Sequence, residues 1–342
     1  MLKYSIIIAV YNRLDEVKEL LKSAEELQFE RNMFELLFVD DGSNDGFKEF
    51  IESYQSKSGL HVRAIYQTNK GPGAARNNGM SQSASQYFIF MDSDCLFTPN
   101  YLKEIDKAVE TQKLDAFGGP DGAHPDFSPM VKAINYSMTS FLGTGGTRGN
   151  KKSVGKFYPR SFNMGINRKV FEKIGGMNAL RHGQDMDFSA RIYEAGFKVG
   201  FVPDAIVFHK RRTSIPKFFR QIFNWGVARV NLGTLHKQML KPIHFFPAIV
   251  LSAYVILIIL SFISPFFSQI LNLVLLLHGM VCLAAFAQSF WMYKNIKVAL
   301  LSIVTLNIQV FAYGAGLLYA LWQKILGKKE AEGFVKNYYG KK

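Results

Sequence analysis

Two long intervals of this sequence carry no formal charge. No Lys, Arg, Asp or Glu stands between Lys241 and Lys294, and none between Lys297 and Lys324. One helix crosses a ~30 Å hydrocarbon core with about 20 residues. The first interval is far longer, so it predicts two spans, at 245–263 and 270–291, joined by the uncharged turn 264–269. The second predicts a third span at 298–322. A surface helix of a soluble domain keeps a polar face to water, and these segments have no charged residue to put there. A membrane explains the pattern better than a very apolar core helix or buried strands.

The formal charge of +14 is distributed unevenly. Residues 1–100 carry 10 basic and 14 acidic groups, residues 101–242 carry 23 and 11, and residues 243–342 carry 8 and 2. Lys210, Arg211, Arg212, Lys217, Arg220, Arg229, Lys237 and Lys241 accumulate just before the first span. Basic charge beside a span stays on the cytoplasmic side. The expectation is a multi-pass protein of the cell (inner) membrane with a cytoplasmic N-terminal domain. The same charges attract anionic lipid headgroups, and their place beside a span favours lipid over nucleic acid as the partner. Cys95 and Cys282 have neither metal-ligand spacing nor a disulfide framework. The start, MLKYSIIIAVYNR, has no small-residue cleavage site and reads as a first strand.

The first 120 residues alternate strand and helix signals: strands at 5–10, 35–39, 61–67 and 87–91, helices at 14–27, 47–54 and 73–84. Such alternation predicts an α/β fold with a doubly wound, mostly parallel sheet, followed here by an α-helical transmembrane region. The expected organisation is a domain over 1–212, an amphipathic interfacial segment over 213–242, membrane helices over 243–323 and a basic tail over 324–342. The Gly-rich stretch 143–156 reads as a loop, either one that orders over substrate or a plain surface loop. In doubly wound sheets ligands bind outside the carboxyl ends of the strands. Polar clusters sit at those ends: Tyr11 and Asn12 after the first strand, Asp40 and Asp41 after the second, Asp92, Ser93 and Asp94 after the fourth.

Two carboxylates flanking one residue at a strand end can hold a hard divalent cation, which bridges phosphate oxygens and neutralises a departing diphosphate. Asp-x-Asp alone is more often a solvated turn, and Asp41-Gly42 alone an ordinary turn; their convergence on one mouth is what argues for a site. Tyr11 offers an aromatic face for stacking. Residues 69–77, NKGPGAARN, are not a Walker loop, but small residues opening a helix approach a phosphate closely and Arg76 supplies a cation.

SIIIAVYNR, LFVDDGSNDG, NKGPGAARNNG and FIFMDSDC follow one another in an order and spacing that resemble family 2 glycosyltransferases, which have the GT-A fold. The resemblance spans roughly the first 210 residues. It implies that Tyr11 and Asp41 contact the base of a nucleotide sugar, with Arg76 nearby, Asp92 and Ser93 at the ribose and diphosphate, and Asp94 on the metal, Mn²⁺ or Mg²⁺. Downstream, SFNMGINRKVFEKIGGMN resembles the acceptor-side segment and marks Asn163, while HGQDMDFSARIYEAGF resembles the segment that supplies the general base. By that resemblance Asp185 is the base and Asp187 the alternative. Gln184 stands where Glu is usual. His209 aligns with a metal-binding His, though a lone His is more often structural. Gln221–Trp225 resembles the Gln-x-x-Arg-Trp signature of processive synthases, with Asn224 at the Arg position, and that departure argues against a processive synthase.

The resemblance implies metal-dependent, inverting transfer from a nucleotide sugar, first of all a UDP-sugar, to an acceptor hydroxyl, and the basic, amphipathic and spanning segments beside the site suit a membrane-associated, lipid-linked glycan as that acceptor. The alternatives are a polyprenyl-phosphate glycosyltransferase and a non-catalytic membrane scaffold that retains the fold. The tail presents a conflict. Three spans from a cytoplasmic start leave it outside, yet its six Lys against two Glu place it inside. A third segment broken at Gly314 and Gly316, re-entering or lying in the interface, reconciles the two.

Overall fold

The computed structural model describes residues 2–144, 156–210 and 214–334. Its contacts divide the chain into two units. The first unit, described over 2–124 and 156–210, opens with β1 (Tyr4–Val10), α1 (Leu14–Glu25), β2 (Phe34–Asp40), α2 (Phe47–Ser53), β3 (Val62–Tyr66), α3 (Pro72–Gln82) and β4 (Tyr87–Asp92). It continues with β5 (Cys95–Phe97), α4 (Tyr101–Gln112), β6 (Ala116–Gly118) and β7 (Asp121–Gly122). After α5 (Pro129–Thr139) and α6 (Phe141–Thr144), which cluster with the second unit, come β8 (Asn163–Asn167), α7 (Arg168–Ile174), α8 (Gln184–Glu194), β9 (Val199–Phe201) and β10 (Val207–His209).

The predicted α/β sheet is present. Seven strands run in the order β3-β2-β1-β4-β8-β6-β9, with β3, β2, β1 and β4 mutually parallel and β8 antiparallel between β4 and β6. Successive side chains of β1 alternate between two cores, as the period of a strand requires. Tyr4, Ile6, Ile8 and Val10 join Val17, Leu20, Leu36, Phe38 and Ile105 on one face. Ile7 joins Leu37, Val39, Ala75, Met80 and Phe88 on the other. Burial on both faces explains why these strands read as continuous apolar runs. A second, three-stranded sheet, β5-β10-β7, was not foreseen from the sequence; its strands are two or three residues long. The expected loop at 143–156 lies, over 145–155, outside the described residues.

In the second unit α9 (Ile215–Leu235) precedes three apolar helices, α10 (Phe246–Ser261), α11 (Pro265–Tyr293) and α12 (Ile296–Ile325). Pro242–Ser261, Pro265–Tyr293 and Ile296–Ile325 are each long and apolar enough to cross a membrane. The break expected at Gly314 and Gly316 is not there: α12 runs through both. The glycines serve contact instead. A Cβ on Gly316 would sit 2.0 Å from Phe223 O, and one on Gly226 would sit 2.2 Å from Tyr313 O, so the backbones of α9 and α12 touch where they cross. Polar contacts then tie these helices together. Tyr254 Oη meets His278 Nδ1 at 2.6 Å, and His278 Nε2 meets Asn307 Oδ1 at 2.8 Å. The α5 helix is fastened to the same bundle by Asn135 Nδ2 donating to Tyr293 Oη (3.0 Å), Tyr136 Oη to Gln288 Oε1 (2.7 Å) and Thr305 Oγ1 to Ala133 O (3.0 Å).

Close approach also sets the height of α3 on the sheet. A Cβ on Gly79 would lie 2.5 Å from Ile7 Cγ2 and 3.1 Å from Val39 Cγ2. Gly79→Ala, although it favours the helix locally, is therefore expected to destabilise the first unit by about 1–3 kcal/mol through overpacking. A lowered thermal midpoint checks this; an unchanged or raised one contradicts the packing described.

Candidate active site

The polar residues at the strand ends are organised by their own hydrogen bonds. Asp41, buried just past β2, accepts from Gln67 Nε2 (2.7 Å) and Lys70 N (2.8 Å) on Oδ1, and from Gly71 N (2.7 Å) on Oδ2. Its carboxylate thus folds the loop after β3 into the start of α3. Gly71 takes φ +87°, a conformation only glycine adopts at little cost, and Pro72 opens the helix behind it. Asp40 Oδ1 accepts from Ser43 N (3.0 Å), and Asn12 N donates to Ser43 Oγ (2.9 Å), joining the ends of β1 and β2. Tyr11 projects from this rim with 43% of its surface exposed.

Arg76 lies on α3, buried, with its NH2 nitrogen 2.6 Å from Asp92 Oδ1 at the end of β4. Its Nε has no hydrogen-bond partner among the described residues. Ser93 is buried between the two aspartates. Asp94 is positioned by the small sheet: β10 pairs antiparallel with β5, placing His209 directly opposite Cys95. Asp94 Oδ1 lies 3.3 Å from His209 Nε2, and Lys210 N donates to Asp94 O (2.9 Å). Behind the ring, Asp121 Oδ2 lies 3.7 Å from His209 Nδ1, an ion-pair distance rather than a hydrogen bond, and Phe162 packs on the imidazole at 5.1 Å. Burial opposes a charge on His209, but the Asp94 and Asp121 carboxylates outweigh it and push its pKa up to about 9.

Asp94, Cys95 and His209 each offer a ligand atom within 4.8 Å of the others. Burial pushes the Cys95 thiol well above its usual range, and the charges of Asp94 and Asp92 add to the effect. What remains is a carboxylate oxygen and an imidazole nitrogen 3.3 Å apart. That is the edge of the coordination shell around a divalent ion with bonds of about 2.1 Å. The residues present fit such an ion.

In the segment expected to face the acceptor, α8 starts after Gly183, which takes φ +80°. Gln184 lies against the first turn of α3, where a Cβ on Gly73 would meet its amide at 2.7 Å. Asp185 keeps 22% of its side chain exposed; Oδ1 accepts from Met186 N (2.9 Å) and Oδ2 lies 3.8 Å from Arg160 NH1. Asp187 differs. It is buried, and its Oδ2 takes both Asn178 Nδ2 (3.0 Å) and Arg191 Nε (3.1 Å). Asn163 is buried on β8, with Tyr101 Oη donating to Oδ1 (2.8 Å) and Nδ2 donating to Ala205 O (2.8 Å) and Pro120 O (3.3 Å).

The structure therefore brings together Asp94 with His209, Arg76 with Asp92, and Gln184 with the start of α3. Asp121, Arg160 and Gln67 were missed. Asp121 and Arg160 sit in irregular sequence with no periodic signal. Gln67 ends the third strand run and was open to the same strand-end reasoning as Asp41.

Residues 5–175, half of the chain, match the family model described as "Glycosyl transferase family 2". Glycosyltransferase AglE of Haloferax volcanii is 27% identical over 241 residues, which are 67% of this chain and 76% of AglE. Poly(ribitol-phosphate) beta-N-acetylglucosaminyltransferase TarS of Staphylococcus aureus is 28% identical over 145 residues, 40% of this chain but only 25% of TarS. A solved structure of the mannosyltransferase PcManGT from Pyrobaculum calidifontis, in complex with GDP-Man and Mn²⁺, aligns over 94% of this chain and 88% of its own with a TM-score of 0.65 and 15% identity. The structural match supports the expected GT-A fold.

His182, next to this segment, carries a pH dependence of its own. Burial, helped by the charge of Arg181, lowers its pKa from 6.5 to about 4. The unfolded chain takes up that proton first as the solution is acidified, so stability falls as pH drops from ~6.5 towards 4. Thermal midpoints measured across this range are expected to fall less steeply for His182→Gln than for the unaltered protein. Parallel curves contradict the assignment.

Proposed function

The chain belongs to glycosyl transferase family 2, and from that premise we propose that it transfers a sugar from a nucleoside-diphosphate donor to a hydroxyl of a membrane-associated, lipid-linked glycan. The observation that carries the reading is the meeting of Asp94 and His209 at the end of the strand whose other carboxylate, Asp92, holds Arg76.

Tyr11, exposed at the end of β1, presents its ring to the donor's base. A carboxylate offers about four lone-pair sites, and the three hydrogen bonds on Asp41 leave room for a base N–H. Arg76, paired with Asp92, puts a cation beside the ribose and diphosphate, with Ser93 next to it. Asp94 and His209 hold a divalent cation, and a carboxylate–imidazole pair suits Mn²⁺ better than Mg²⁺, which prefers oxygen alone. When bound, that ion supplies charge stabilisation for the leaving nucleoside diphosphate.

Asp185 is the base. It is accessible, whereas Asp187 is engaged by Asn178 and Arg191 and fixes the start of α8. As the acceptor oxygen attacks the anomeric carbon, its proton passes to the Asp185 carboxylate. The bond from that carbon to the diphosphate oxygen breaks on the opposite face, so the configuration inverts. The apolar helices and the basic segment before them suit an acceptor presented at a cytoplasmic membrane surface.

The test is nucleoside diphosphate release by detergent-purified protein with UDP-, GDP- and dTDP-sugars, membrane lipid extract and Mn²⁺. Asp185→Asn is expected to lower turnover by about 10²–10⁴-fold while Mn²⁺ binding, followed by electron paramagnetic resonance, persists. Asp94→Ala is expected to lose both. Turnover retained in Asp185→Asn but lost in a stably folded Asp187→Asn would overturn the assignment of the base.

A further inference from the structure

Past α12 the chain turns back along α9, and three side-chain amides hold it there. Asn231 Nδ2 donates to Ala331 O (2.8 Å) and its Oδ1 accepts from Ala331 N (2.9 Å). Gln323 Nε2 donates to Glu332 O (2.9 Å) and its Oε1 accepts from Glu332 N (2.9 Å). Asn224 Nδ2 donates to Phe334 O (3.0 Å) and its Oδ1 accepts from Phe334 N (2.7 Å). Each amide grips one residue by both backbone groups, as a neighbouring strand would. The Phe334 ring rests on Phe223 (4.9 Å) and Phe219 (6.4 Å), with the Arg220 guanidinium 5.8 Å away. Asn224 is the residue that replaces Arg in the Gln-x-x-Arg-Trp pattern, and Asn231 lies two helical turns on, along the same face.

The surface around this clamp has a particular composition. Between Asp204 and Glu330 the sequence contains no acidic residue. Lys217, Arg220, Lys237 and Lys241 are exposed on α9 and the turns that follow it, as are Lys328 and Lys329 on the clamped segment, while Lys324 is half-buried in the last turn of α12. Glu330 and Glu332 on the clamped segment offset part of that charge. Set among the lysines are exposed Leu235, Ile243, Trp322, Ile325 and Leu326. Apolar side chains interleaved with lysines match the headgroup boundary of a bilayer, where the former reach the acyl layer and the latter the phosphates. A soluble polyanion would leave those apolar residues in water.

We propose that the Asn224–Asn231–Gln323 clamp returns the chain to the side of the membrane that carries α9, and that α9 and the clamped segment together form a docking surface for anionic lipid headgroups. The tail then lies on the side that its lysines favour. The proposal does not depend on the donor or the base.

Hydrogen exchange on the full chain in nanodiscs tests it. The Ala331, Glu332 and Phe334 amides should be protected in phosphatidylcholine alone. Adding phosphatidylglycerol should slow exchange over 326–329 by about tenfold, and soluble glycerol phosphate added to neutral discs should not. Asn224→Ala/Asn231→Ala/Gln323→Ala should lose the protection and the lipid effect together. Lys328→Gln/Lys329→Gln, which leaves the amides and the bond from Lys324 Nζ to Lys329 O intact, should keep the protection and lose the lipid effect. Unprotected amides in the unaltered protein, exchange insensitive to phosphatidylglycerol, or an equal response to soluble phosphate would each overturn the proposal.

Discussion

The pairing of β10 on β5 is the constraint on which the candidate site depends. Three residues at the end of the first unit lie antiparallel to three residues that follow the Asp-x-Asp turn, and that register sets His209 against Asp94. Without it, Asp94 would sit in a solvated turn more than a hundred residues of sequence away from the imidazole. The pairing is short, so its position rests on neighbours: β7 on the far side of β10, the buried thiol of Cys95, and Phe162 on the imidazole ring. Asp121 then faces His209 from behind, its carboxylate 3.7 Å from Nδ1.

Local sequence made the parallel half of the sheet legible. Runs such as 5–10 and 87–91 are apolar on both faces because both faces are covered, and polar clusters interrupt them where the strands end. The same logic singled out Asp41, Arg76, Asp92 and Asp94 as candidates. It could not find β5, β7 and β10, because strands of two or three residues have no period to read. Nor could it see that the carboxylate of Asp41 organises a loop. Aspartate at a strand end reads the same whether it anchors a loop or faces a ligand until its partners, here Gln67, Lys70 and Gly71, are known.

The helical unit illustrates a different limit. Absence of charge marked the three apolar helices, but not what holds them together. Gly314 and Gly316 read as helix breakers, whereas they are contact points at which neighbouring backbones meet α12. α5 looked like part of the N-terminal domain, yet it is tied to α11 and α12 through Asn135, Tyr136 and Thr305. Asn224 read as a damaged signature, and the structure gives it a backbone partner in Phe334. In each case the residue type was visible and its partner, distant in sequence, was not.

On the proposed reading, Asp94 and His209 would hold the metal that serves the leaving group. The most direct measurement is a structure of the full chain with Mn²⁺ and a nucleoside diphosphate, with the metal located by its anomalous scattering. One peak is expected, bonded to Asp94 and His209 Nε2 and to diphosphate oxygens, with the base beside Tyr11. A metal bound elsewhere, or a diphosphate seated away from the ends of β1, β2 and β4, would contradict it.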